Sequence, residues 1–85
     1  MSMEFEGRLE PGTIKVGTKQ TIKMVEQHKA SLVYVAQDAD SRLTSRIVQL
    51  CKQHSVEVVY VDTMRALGKT CGIEVGTAAA VVVEE

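Results

Sequence analysis

The chain is predicted to be an α/β protein, a three-layer α/β/α sandwich on a mainly parallel or mixed four-stranded sheet. Two observations carry that prediction. Short apolar runs alternate with periodic, amphipathic segments from Ile14 to Val83, the pattern of strand-helix units. The run Leu32-Val33-Tyr34-Val35-Ala36 is apolar without a break, as in a strand covered on both faces. Right-handed crossovers between such strands place helices on both sides of the sheet.

Taken in order, Ile14-Lys15-Val16 forms a short first strand and Gly17 ends it. A helix starts at Thr18 or Lys19, turns Ile22 and Val25 inward and ends near Lys29. Leu32 to Ala36 is the second strand. Asp38-Ala39-Asp40 is a turn, and Asp40 is placed to N-cap the next helix, where a carboxylate also suits the dipole. In that helix Leu43, Ile47, Leu50 and His54 recur on one side, with Arg42, Arg46, Gln49 and Gln53 on the other, a clear amphipathic pattern. Val56 to Val61 is the third strand. Thr63 can cap a short helix with Met64, Leu67 and Cys71 inside, and Gly72 follows at the position where φ > 0 is usual. Ala78 to Val83 is the last strand.

The 85 residues make a single domain over residues 13–85. A chain of this size buries roughly 60–65% of its unfolded surface, so it folds without disulfides or metal but with little stability to spare. Residues 1–12 contain Gly7, Pro11 and Gly12 with little apolar periodicity, and are expected to be a flexible arm. This segment has no apolar core of a signal peptide. No apolar run approaches the ~18 residues that span a membrane. The protein is read as cytoplasmic and monomeric. Cys51 and Cys71 fall on apolar helix faces, as small buried side chains in a reducing compartment.

A net charge of −1 argues against strong non-specific polyanion binding. The charges are unevenly spread, however. Residues 13–83 hold nine Lys or Arg against six acids, which permits a local basic patch.

Gly12-Thr-Ile-Lys-Val-Gly17-Thr18-Lys19 nearly spells a phosphate-binding P-loop, but Thr and Lys are transposed relative to the motif. Nucleoside triphosphate binding is therefore rejected. A glycine at a strand end leading directly into a helix instead leaves backbone N–H groups free, a general anion site. Lys19, Gln20 and Lys23 share one exposed face of that helix. Lysine offers charge to phosphates, and glutamine offers a paired donor and acceptor for a base edge. On spacing alone an ordinary solvated first turn explains the segment as well. Gly72 to Gly76 is a second candidate. Its Ile73 and Val75 are read either as core or as an apolar wedge against unstacked bases, with core favoured. Cys51-x-x-His54 has no second closely spaced pair and follows helix periodicity, so no metal is expected. Asp38 and Asp40 come with no nucleophile or base motif, and no catalytic constellation is recognisable.

Together these segments resemble the ribosomal protein L-seven-Ae family, in its bacterial, L-thirty-e-like form. Gly17-Thr18-Lys19-Gln20-Thr21-Ile22-Lys23 is similar to the family's first signature, with Lys-Gln in place of Asn-Glu. Leu67 to Ala80, LGKTCGIEVGTAAA, is similar to the second, and Val35 to Asp40 to the turn between them. Ser41 stands where the family commonly has Pro, and Met64 where it often has a basic residue. The resemblance implies the same sandwich and binding of kink-turn RNA, a bent stem with tandem sheared G·A pairs and a flipped-out nucleotide. By position it implies that Lys19, Gln20 and Lys23 contact the G·A pairs and nearby phosphates, while Gly17 and Thr18 allow close backbone approach. It places Asp40 and Thr44 near the flipped-out base, and Ile73, Glu74 and Val75 in the loop covering the bulge. The expected function is non-catalytic binding of structured RNA, kink-turn or ribosomal, as a ribosomal or ribosome-associated protein. No cofactor and no small-molecule substrate are expected. A protein-interaction module that kept the fold and lost specific RNA binding is the alternative.

Overall fold

The computed structural model describes residues 13–83. The arm expected over residues 1–12 lies outside them. Among the described residues the order is β1 (Thr13–Val16), α1 (Thr18–Glu26), β2 (Ala30–Ala36), α2 (Ser41–Gln53), β3 (Glu57–Val61), α3 (Met64–Thr70) and β4 (Ala79–Val83). The strands form one mixed sheet in the order β1-β4-β2-β3. β4 runs antiparallel to both β1 and β2, and β2 pairs parallel with β3. The last strand is thus inserted beside the second, and the short strands β1 and β3 form the edges.

Side chains alternate across a strand, and that alternation separates two cores. Val33 and Val35 of β2 join Ala79, Val81 and Val83 of β4 beneath α1 and α2, packed with Val25, Ile47 and Cys51. Ala36 and Ala80 point the other way, against Leu67 of α3. Helices therefore cover both faces, and the fold is the predicted α/β/α sandwich.

Details of the helices differ from expectation. Cys51, not His54, is the fully buried residue in the last turn of α2. His54 is the C-cap residue, and its ring lies 4.9 Å from that of His28 between centroids. Met64, expected inside α3, is 37% exposed, because it sits at the helix start, beyond the part that Leu67 anchors to the sheet.

α1 and α2 both end by turning into the left-handed region without a glycine. His28 has φ 62° and Ser55 has φ 59°. After each, the next amide closes the turn, Lys29 N donating to Met24 O and Val56 N to Cys51 O. Glycine would adopt this conformation without a Cβ penalty. Ser55→Gly should therefore stabilise the protein by ~0.5–1 kcal/mol, raising the melting temperature by roughly 2–8 °C. An unchanged or lower melting temperature would count against the geometry of this turn.

Candidate nucleic-acid interface

The connections after β1 and β2 and the one before β4 meet at one end of the sheet, and backbone hydrogen bonds hold them together. Gly17 N donates to Ala79 O at 2.9 Å, and Ala36 N donates to Ala78 O at 2.9 Å. Thr77 N donates to Met64 O at 3.1 Å, and Ile73 N to Gly68 O at 3.0 Å. The Gly17–Lys23 segment, the turn to Asp40 and the loop after α3 are thereby fixed to one framework, although they lie far apart in the chain.

Gly17 is the N-cap of α1, with φ 112° and ψ 157°. That conformation is essentially reserved for glycine; the space around it is open, so the backbone alone demands the residue. Gly17 O accepts from Thr21 N and from the buried Thr21 Oγ1, at 3.0 and 2.8 Å. No side chain caps the helix, and its first turn carries no acid. Such an N-terminus favours an anion. Lys19, Gln20 and Lys23 are all exposed and Thr18 is half-buried, while Thr21, Met24 and Val25 point into the core. The inward face of α1 thus aims the three polar residues at solvent.

Asp40 caps α2 as its position in the sequence indicates. Arg42 N donates to Asp40 Oδ1 at 2.9 Å, and Arg42 Nη2 to Asp40 Oδ2 at 3.2 Å. The Arg42 side chain, and then its backbone N–H, hold the Asp40 carboxyl below the usual carboxylate range. The pair is open to water and adds little to stability. Its consequence is to occupy the carboxylate, leaving the half-buried Thr44 one turn on as the less committed group.

Asp38 has a role that its turn motif did not disclose. Its Oδ1 accepts from Met64 N at 2.7 Å, while Thr63 Oγ1 accepts from Ala66 N at 3.0 Å. Two side chains, one from a different loop, thus satisfy two otherwise unpaired amides at the start of α3. Asp38→Ala should cost about 1 kcal/mol in urea unfolding, and Asp38→Asn, which keeps the acceptor oxygen, should cost less. Equal losses would show that the amide of Met64 does not depend on this oxygen.

The loop after α3 is shaped by glycines. Gly72 takes φ 80°, as expected at a helix end. Gly68 is buried, and a Cβ there would collide with the Val75 carbonyl oxygen. A Cβ on Gly76 would lie 3.1 Å from the Met64 carbonyl carbon. Tied down in this way, the loop turns Val75 outward at 69% exposure, with Glu74 also exposed and Ile73 half-buried. The preference for a core position fails for Val75, whose carbonyl rather than its side chain packs towards Gly68. Val75 and Met64 are both exposed apolar residues, and their backbones lie against Gly68 and Gly76 respectively. Helix periodicity assigned Met64 to the interior, and the structure instead exposes it beside this loop, at the position where the resembled family often has a basic residue.

Burial raises the thiol pKa of Cys51 and Cys71, away from the thiolate that reacts. Among the described residues no group of three or more His, Cys, Asp or Glu side chains is arranged to hold a metal ion. No helix among them is long and apolar enough to cross a membrane.

The chain is 40% identical over 80 residues to the RNA-binding protein YbxF of Geobacillus stearothermophilus, covering 94% of this chain and 98% of that one. It is 45% identical over 65 residues to an RNA-binding protein of Caldanaerobacter subterraneus subsp. tengcongensis, covering 76% and 79%. Among solved structures, the Giardia lamblia 15.5 kD RNA-binding protein superposes with a TM-score of 0.78 at 32% identity. That match takes in 85% of this chain and 61% of the Giardia chain. A Bacillus halodurans protein of unknown function shares the fold, with a TM-score of 0.76 at 21% identity over 84% of this chain and 71% of that one. The family model described as ribosomal protein L7Ae/L30e/S12e/Gadd45 matches residues 3–85, and the chain belongs to that family.

Proposed function

We propose that the protein binds structured RNA and recognises the kink-turn, as a ribosomal or ribosome-associated component without catalytic action. The observation that carries this reading is the shared end of the sheet. An uncapped helix N-terminus bearing exposed Lys19, Gln20 and Lys23 lies on the same rim as a glycine-tied loop with an outward Val75. The relatives named RNA-binding proteins support it.

The division of labour follows from chemistry. The major groove of regular A-form RNA is too deep and narrow for side chains to read, and a sharp kink opens it. The N-terminus of α1 then enters. Gln20 pairs with a base edge of the sheared G·A tandem, and Lys19 and Lys23 take phosphates or guanine acceptors. Gly17 and Thr18 allow the backbone to come close. Val75 and Ile73 lie over the flipped-out nucleotide, Glu74 flanks them, and Asp40 and Thr44 border its other side.

Titration of a kink-turn stem against a control lacking the G·A pairs tests this. The stem should bind at least roughly tenfold tighter, about 1.4 kcal/mol. With two lysines on phosphates, the logarithm of affinity should fall with that of salt at a slope of roughly −1.4 to −1.8. Equal affinity for the two RNAs would sink the kink-turn assignment. Weak, salt-insensitive binding to both would favour a protein-interaction role.

A further inference from the structure

Next to this rim, β3, the end of β2 and the middle of α2 border an open trough. Two adjoining hollows of about 300 Å³ each lie along it. Val35, Ala36, Gln37, Thr44 and Tyr60 line one. Ser45, Val48 and Gln49 join Thr44 and Tyr60 around the other. β3 is an edge strand with β2 on one side only, so no strand shields Tyr60 on the outside. Tyr60 is 54% exposed, the one aromatic among the large hydrophobic side chains that the described residues expose.

We propose that this trough is a second nucleotide subsite, in which an unpaired nucleotide continuing from the bulge stacks its base on Tyr60. The inference rests on the RNA-binding reading above, because Thr44 belongs both to that surface and to both hollows. An exposed aromatic ring is the usual platform for an unstacked base. The polar lining consists of amides and hydroxyls from Gln37, Thr44, Ser45 and Gln49, neutral groups that can donate to and accept from a base edge. Among the described residues no acid lines either hollow. Gln49 also borders a neighbouring groove, whose charged residues Glu26 and Arg46 lie outside both hollows. Each hollow is at the small end of the range for ligand pockets, about 300–1,000 Å³, which suits one ring system rather than a protein segment.

The test uses kink-turn stems whose bulge is lengthened by one, two or three uridines, compared with the unextended stem by fluorescence anisotropy. Wild-type protein should gain roughly tenfold in affinity from the extension, the scale of one stacked base. Tyr60→Phe should keep the gain. Tyr60→Ser should lose it while binding the unextended stem as the wild type does, which also shows that the variant is folded. Wild-type protein that binds extended and unextended stems equally overturns the subsite and leaves the kink-turn reading standing. A gain that survives in Tyr60→Ser likewise overturns it. Wild-type protein that binds neither stem overturns both.

Discussion

Gly68→Ala is expected to destabilise the protein by about 2–3 kcal/mol and to weaken RNA binding at least tenfold. The added methyl group would run into the Val75 carbonyl oxygen, with Val75 C and Gly76 Cα close behind it. These are backbone atoms, so no rotamer change relieves the contact. Either α3 lifts from the sheet, loosening the Leu67 anchor against Ala36 and Ala80, or the loop carrying Ile73 to Val75 moves. Overpacking of a closed site typically costs ~1–3 kcal/mol, and a backbone obstacle belongs at the upper end. Urea unfolding reads the first effect and anisotropy the second. Lys69→Ala, one residue on and exposed, is the control and should change stability by less than about 0.5 kcal/mol. A Gly68→Ala protein of unaltered midpoint and affinity would mean that α3 and its loop are not packed as described.

Gln20→Ala separates binding from folding. The side chain is exposed on the first turn of α1 and takes no part in the core. Alanine is also the better helix former, by a few tenths of a kcal/mol. Stability should therefore hold or rise slightly, while affinity for a kink-turn stem falls by ~1–3 kcal/mol, as loss of a base-edge contact requires. Lys19→Ala should act differently, weakening all RNAs alike and reducing the salt slope by about one. If Gln20→Ala binds as the wild type does, the base-reading group lies elsewhere on the rim.

Much of the architecture was legible from patterning. The break-free apolar run from Leu32 to Ala36 marks a strand covered on both faces, and β2 is one of the two central strands. The Asp40 and Thr63 caps were readable because capping is a local affair of two or three residues. The turn at Gly72 was legible for the same reason. So was the outward face of α1, since 3.6-residue periodicity alone separates Lys19, Gln20 and Lys23 from Val25.

What patterning could not show are contacts made across the chain. The insertion of β4 between β1 and β2 depends on pairing between distant strands, and no local signal encodes it. Asp38 looked like a turn residue, and its bond to Met64 spans 26 positions. Gly68 carries no local signal of its role, which only the approach of the Val75 carbonyl explains. Val75 and Met64 carry side chains that suit a core, yet one lies in the glycine-tied loop and the other at the start of α3, and both are exposed. Local propensity and periodicity thus settled the elements and the polar face of α1. The tertiary structure decided which loops share one end of the sheet, because that depends on hydrogen bonds and close contacts between segments that meet only once the chain has folded.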